Sequence, residues 1–272
     1  MTTITISYNG VTDVYEDGIK VLSTSAEQKV PLQKSNNVKK VQIVPAKEVT
    51  IKKTPIVDVF NSKFYLPNYE QDLIQGLLYR NKSYFEQGFL VKTKEYIPAK
   101  NAIIIDIGAN IGNHTLYWAN EVNANKIYAF EPVPTTFKIL KKNIKINNLE
   151  NIVNIYQAGL SDEDSKGEIK TYDPTNIGGT RLQINNEGNI SLITLDSLNL
   201  SEKRIDLIKI DVEGMDYKVL TGAVKTIRKY KPVIMIESFP QEYNISSRIL
   251  KALGYRLEKN LGSFEYIYVY EK

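Results

Sequence analysis

The apolar residues of this chain keep two rhythms. Short, mostly β-branched runs stand at Ala102–Ile107, Lys126–Phe130, Ile152–Tyr156, Ile205–Asp211 and Pro232–Glu237. Runs of this kind are strands buried on both faces of a parallel sheet. Between them, apolar positions recur every three or four residues. That spacing predicts helices over about 113–122, over Pro134–Ile146 with proline near its start, over about 215–230, and over 241–253 with Gly254 as the stop. Strand and helix in alternation predict an α/β fold with a doubly wound, mostly parallel sheet. Tyr255–Glu258 and Phe264–Tyr270, separated by Gly262, read as a terminal hairpin that adds an antiparallel strand. Gly167–Tyr172, Ile177–Gln183 and Asn189–Thr194 read as a β segment inserted before the fourth core strand.

Residues 1–52 follow neither rhythm for long. Thr3–Tyr8 alternates like a strand and Asn9-Gly10 is a hairpin signal. Val41–Val44 and Val49–Ile51 are further short strand candidates, and 23–40 is rich in Ser, Gln, Asn and Lys like a linker. The stretch reads as an accessory extension, either a small β unit or partly disordered. Residues 53–100 form a lead-in, with a hairpin at Val57–Phe60 and Lys63–Leu66, a turn beginning at Asn61 or Asn68, and an amphipathic helix over Glu70–Leu78. The lead-in, rich in aromatics and continuing through Asn81–Glu86, is expected to pack on the core, which runs from 101 to 272, with a lid or substrate wall as the alternative.

Composition narrows the chemistry. There is no cysteine among the 272 residues. That excludes disulfides, zinc–thiolate sites and a cysteine nucleophile, and with the last it excludes cytosine C5 methylation. No apolar run approaches the roughly 20 residues of a membrane span. The N-terminus lacks a basic-then-apolar leader, so a soluble cytoplasmic protein is expected. A net charge of +4 gives no strong nucleic-acid signal. Lys138, Lys141, Lys142 and Lys145 share helical spacing and read as a solvated face.

The first core strand breaks into Asp106-Ile107-Gly108-Ala109-Asn110-Ile111-Gly112, and a helix follows from Asn113. Glycines let backbone approach a ligand, and a helix start offers free N–H groups. The spacing D-x-G-x-N-x-G is neither a dinucleotide G-x-G-x-x-G nor a phosphate loop, which needs a lysine after its last glycine. The second strand ends in Glu131-Pro132. An acid there accepts the two hydroxyls of a ribose, in nicotinamide proteins and methyltransferases alike. The fourth strand ends in Lys209-Ile210-Asp211-Val212-Glu213-Gly214, and the fifth in Glu237. A period of two puts Lys209, Asp211 and Glu213 on one side, at the carboxyl edge where open α/β sheets bind ligands.

The set DIGANIGNHT, AFEP, GLSD, NIGGTRL, TLDSL, KIDVEGMDYKVLTGA and KPVIMIE resembles the FkbM family of S-adenosylmethionine (SAM)-dependent methyltransferases, over roughly 55–272. The resemblance implies the class I, Rossmann-like methyltransferase sheet with its reversed terminal strand. It implies SAM as cofactor, on Asp106, Gly108, Asn110 and Gly112 with the adjoining Ala109 and Pro132, Glu131 on the ribose, and Ala158 and Ser161 near the adenine. It also implies O-methylation of a hydroxyl on a sugar, glycan or small molecule.

An alcohol needs a base or a metal to react. The candidates for this step are Asp211 and Glu213 beside Lys209, the single histidine His114 in a helix first turn, and a magnesium ion held by Asp211, Glu213 and Glu237. The loop Gly178-Gly179-Thr180-Arg181 is expected to approach the acceptor, with Glu237 at the same mouth. The rival readings are an NAD(P)-dependent oxidoreductase, and a methyltransferase acting on ribose or protein.

Overall fold

The computed structural model describes residues 3–8, 11–16, 19–25, 55–98 and 100–271. The chain divides into two units, Met1–Ile51 and Lys52–Lys272. In the first, β1 (Thr3–Tyr8), β2 (Val11–Glu16) and β3 (Ile19–Ser25) form an antiparallel sheet in that order. The alternation of β-branched residues in Thr3–Tyr8 and the Asn9-Gly10 break are what a hairpin needs. β3 extends into the start of the linker-like composition. The strand candidates at Val41–Val44 and Val49–Ile51 lie outside the described residues.

The second unit opens with a hairpin of β4 (Ile56–Val59) and β5 (Ser62–Tyr65), then α1 (Leu73–Asn81) and α2 (Gln87–Thr93). The core follows as β6 (Ile103–Ile107), α3 (Asn113–Asn120), β7 (Lys126–Phe130), α4 (Pro134–Ile146) and β8 (Val153–Tyr156). The insert is β9 (Gly159–Leu160), β10 (Ser165–Thr171), a 3-10 turn (Ile177–Gly179), β11 (Arg181–Ile184) and β12 (Ile190–Ile193). The chain returns through β13 (Leu207–Ile210), α5 (Asp216–Thr221), α6 (Val224–Tyr230), β14 (Val233–Glu237), α7 (Pro240–Ala252), β15 (Tyr255–Gly262) and β16 (Glu265–Tyr270).

The central sheet has the order β15-β16-β14-β13-β6-β7-β8. All its pairings are parallel except those of β16, which runs against both β14 and β15. The fold is therefore the α/β methyltransferase-type sheet with one reversed strand. Winding starts at β6, goes out to β7 and β8, then returns past β6 to β13. The crevice beyond the carboxyl ends of β6 and β13 is the switch point where such sheets hold ligands.

The period of two along each strand splits its residues between two apolar layers. Ile104, Ile127, Leu207 and Met235 enter the layer holding Leu116, Trp118 and Leu140. Ile105, Ile107, Ile208 and Ile210 enter the other, with Val219, Leu220 and Ile227. The lead-in joins the first layer through Val57, Phe64, Leu66, Leu78 and Leu90. It is pinned to α4 by polar ties, with the Tyr65 N–H donating to Asn143 Oδ1 at 2.7 Å and the Lys63 N–H to Asn147 Oδ1 at 2.8 Å.

Three local expectations shift. The helix over 215–230 is two helices. At the break, a Cβ on Gly222 would stand 1.9 Å from the Ser161 carbonyl oxygen, so the backbones touch there. α6 then restarts on Asp196, whose carboxylate accepts the Lys225 and Thr226 N–H groups, each at 2.8 Å. α1 begins at Leu73, later than Glu70, because Asp72 caps it by accepting the Gln75 N–H at 2.9 Å. The strand over 177–183 starts only at Arg181, after the 3-10 turn.

Candidate functional site

A cavity of about 240 Å³ lies at the switch point. Its floor is the turn after β6. Phe130 O accepts the N–H of Gly108 at 3.0 Å and of Ala109 at 2.8 Å, which holds the turn to the end of β7. Gly108 has φ 78°, and a Cβ there would stand 1.8 Å from the Asp211 carbonyl oxygen. Only glycine fits both the left-handed backbone and the contact. Gly112, at φ 94°, opens α3.

Glu131 faces this turn. Its two carboxylate oxygens accept the Asn110 N–H at 3.0 Å and the Val133 N–H at 2.9 Å. Each oxygen keeps a further acceptor site. Burial, the largest influence, pushes the carboxyl up to about 7 against the pull of these two N–H groups and Lys209. Beside it, Phe130, Pro132, Val133 and Ala158 make an apolar stretch of cavity wall.

At the ends of β13 and β14 the wall is acidic. Asp211, Glu213 and Glu237 each bring a carboxylate oxygen to within 4.8 Å of the others. Glu213 reaches the mouth through a left-handed backbone, φ 55°, after the strand has ended. Lys209 is buried beneath. Its Nζ donates to Gly108 O at 2.7 Å and pairs with Asp211 at 3.0 Å and Asp106 at 3.5 Å. Burial works against its charge, but Asp211 and Asp106 outweigh it and hold the pKa above the usual lysine value. Burial also opposes the Asp211 charge, and the Lys209 charge and hydrogen bond more than offset it, so Asp211 sits below the usual carboxylate range.

The neighbouring carboxyls respond in the opposite sense. Burial and then the Asp211 charge push Glu213 up to about 7, with Arg181 and Lys209 pulling the other way. Burial, then Asp211, Glu213 and Glu265, push Glu237 up to about 10. Glu237 therefore keeps its proton and donates it in a hydrogen bond to the Asp211 carboxylate.

His114 lines the same cavity, with Nε2 3.4 Å from Glu86 Oε2 and the ring tilted against Trp118. Gly178, Gly179 and Thr180 line it too. Of the residues singled out from the sequence, Gly108, Ala109, Asn110, His114, Glu131, Pro132, Ala158, Gly178, Gly179, Thr180, Lys209, Asp211, Glu213 and Glu237 share this cavity. Asp106, Gly112 and Ser161 do not. Asp106 is buried behind the turn, accepting the Thr115 hydroxyl at 2.5 Å. Ser161 is turned into the insert, where it donates to Asp162 at 2.9 Å.

Sequence reasoning passed over Ile74, Asn113 and Asn176, which also line the cavity, and the buried Glu265 opposite Glu237 in β16; Phe85 and Glu86 of the lead-in, expected to pack, line the cavity as well. The pair Asn113–Phe85, with two hydrogen bonds of 3.0 and 2.9 Å, clamps the lead-in beside His114. No local pattern signals a contact between segments so far apart in the chain.

A model of the methyltransferase FkbM domain matches residues 106–257, more than half of the chain. The chain belongs to the FkbM methyltransferase domain family. The FkbM match spans β6 through β15, so it includes the turn, Glu131, the insert and the acidic rim. Among similar proteins, Methyltransferase 1 of Beauveria bassiana (strain ARSEF 2860) is 30% identical over 160 residues, covering 49% of this chain and 64% of that protein. The hexuronic acid methyltransferase AglP of Haloferax volcanii is 30% identical over 139 residues, covering 49% of this chain and 54% of that one. The chain thus spans less than two thirds of the length of these relatives. The crystal structure of an FkbM methyltransferase from Methylobacillus flagellatus KT superposes with a TM-score of 0.47 at 17% identity, over 75% of this chain and 50% of that one. Among the described residues, no helix is long and apolar enough to cross a membrane.

Proposed function

We propose that this FkbM-family chain is a SAM-dependent O-methyltransferase acting on a hydroxyl of a sugar, glycan or other small molecule. The observation that carries the reading is the arrangement across one cavity: a glycine turn and a ribose-type acid on one side, and a carboxylate rim on the other. The residues fit the cofactor. Glu131 is a buried carboxylate whose ionised form is costly, and it keeps an acceptor site on each oxygen for the two ribose hydroxyls. The apolar wall of Phe130, Pro132, Val133 and Ala158 suits an adenine ring. When bound there, SAM supplies an already activated methyl group.

The chain's own task is to position the acceptor and remove its proton. Glu213 is assigned the proton. It faces the cavity, and its carboxyl is pushed up to about 7, where a base is both available and strong enough. Lys209 is assigned a holding role, since its three donors point to Asp106, Asp211 and Gly108 O. Asp106 and Gly112 are assigned the shaping of the turn. His114, paired with Glu86, is assigned the wall of the acceptor pocket.

A second reading rests on the convergence of Asp211, Glu213 and Glu237. Hard oxygen donors at this spacing suit a magnesium ion, which would lower the acceptor hydroxyl's pKa directly. Dialysis against EDTA separates the two. Activity restored only by added magnesium favours the ion, and undiminished activity favours Glu213 alone.

The primary test is calorimetry with SAM and S-adenosylhomocysteine. Both are expected to bind, and Glu131→Ala to weaken them by roughly tenfold or more, as for loss of a charge-assisted bidentate contact. Absence of binding to either compound by folded protein overturns the proposal. Saturable binding of NADH in their place would move the reading to an oxidoreductase.

A further inference from the structure

Next to the acidic rim stands a ledge that no step above uses. Arg181 follows Thr180 at the cavity mouth, and its Nε lies 3.9 Å from Glu213 Oε2. Its side chain is half exposed, and at that distance the ion pair leaves the guanidinium donors free. Its Cζ sits 5.2 Å from the centroid of the Phe239 ring. Phe239 packs edge-on against Phe264, with centroids 5.5 Å apart, and the Ser238 N–H donates to Phe264 O at 3.0 Å.

Phe264 is 44% exposed, and both it (φ 67°) and Ser263 (φ 51°) hold left-handed backbone. Two consecutive non-glycine residues in that region are strained, because each Cβ crowds its own backbone. A cheaper turn would place glycine or asparagine there, so the hairpin tip carries strain while presenting an aromatic ring to solvent. The ledge adjoins the reaction rim on both sides, because Glu213 pairs with Arg181 and Glu237 precedes Ser238-Phe239 in the chain. Its charge is opposite to that of the rim.

From this juxtaposition we propose that Arg181, Phe239 and Phe264 form an acceptor subsite for an anionic sugar ring. The ring packs on the exposed Phe264 ring, which Phe239 supports edge-on, while Arg181, seated over Phe239, takes its carboxylate in a charge-assisted pair. The ring's hydroxyl edge, or that of the next ring, faces Asp211, Glu213 and Glu237. This deepens the methyltransferase reading and rests on it for the direction of the acceptor. The fit follows from polarity: carboxylates receive hydroxyls, a guanidinium receives a carboxylate, and an aromatic face receives the C–H face of a ring. A neutral sugar would leave Arg181 with only its long pair to Glu213.

The test uses matched probes, methyl β-glucuronide and methyl β-glucoside, titrated by calorimetry or saturation-transfer NMR into the full chain with S-adenosylhomocysteine present. No turnover is required. The glucuronide is expected to bind about tenfold more tightly, the scale of one half-exposed charge-assisted pair. Arg181→Gln is expected to remove the difference while leaving glucoside binding in place. Phe264→Ala is expected to weaken both probes several-fold and keep the preference. Equal affinity for the two sugars, or a preference that survives Arg181→Gln, overturns the subsite. Failure of S-adenosylhomocysteine to bind while the glucuronide preference stands would instead overturn the methyltransferase reading alone.

Discussion

Glu213 shows how a residue can be in the right place for a reason its sequence hides. The alternation Lys209, Asp211, Glu213 suggested one face of one strand, yet β13 stops at Ile210 and a left-handed backbone delivers Glu213. The neighbouring charges were legible as residues, whereas their protonation was not. It depends first on burial and then on the charges the rim residues place on one another, and for Glu237 also on Glu265, a buried carboxyl from β16 that nothing local connects to it. If Glu213 takes the acceptor's proton, kcat/KM should rise as pH climbs through about 7 and level off above it, because only the ionised form accepts. Glu213→Gln should lower kcat by roughly 100-fold or more, on the scale of general base catalysis, and erase that limb. A pH–rate series on both proteins checks it. An unchanged limb in the variant would assign the ionisation to another group.

Among the elements, one part of the cavity wall is assembled from two segments that flank the first half of the core in sequence. α1 and the 3-10 turn meet at Asp72. One of its oxygens accepts the Gln75 N–H and the other the Ile177 N–H, both at 2.9 Å, while Leu73 N–H donates to Thr175 O at 2.8 Å. Asp72→Ala removes a helix cap and this tie together, so it should cost about 1–2 kcal/mol in urea unfolding. Acceptor KM should rise while S-adenosylhomocysteine affinity stays near that of the parent, since the turn after β6 is untouched. The individual elements were readable from periodicity and proline or glycine punctuation, α4 most closely. The meeting of lead-in and insert was not, because a shared aspartate leaves no trace in either segment's own pattern. α2 escaped for a related reason: its seven residues carry too few apolar repeats to stand out.

Across the whole molecule, the raised carboxyls make stability depend on pH. In the unfolded chain Glu131, Glu213 and Glu237 lose their protons near 4.5, but folded they hold them to about 7, 7 and 10. Their contribution is fully present below 4.5. It falls away as pH rises towards 7 for the first two, and towards 10 for Glu237. Lys209, raised from 10.5, and Asp211, lowered from 3.8, act outside that window. Thermal melts from pH 5 to 9 without cofactor should therefore show a declining Tm, and Glu237→Gln should flatten the limb above 7. A Tm that climbs across this range would contradict the assignment. At this scale the alternating runs showed an α/β sheet, and the family resemblance supplied its type, with the reversed terminal strand. The antiparallel end followed from the glycine between the last two strand patterns.

The contact between Gly108 and the Asp211 carbonyl has a lasting consequence. The turn after β6 and the acidic rim are spaced by main chain pressed on main chain, like two jaws cut from one block. Drift in side chains can retune what enters the gap, but it cannot easily widen the gap itself. Lineages that change acceptor would then be expected to rework the ledge, the insert and the lead-in, and to leave that seam alone.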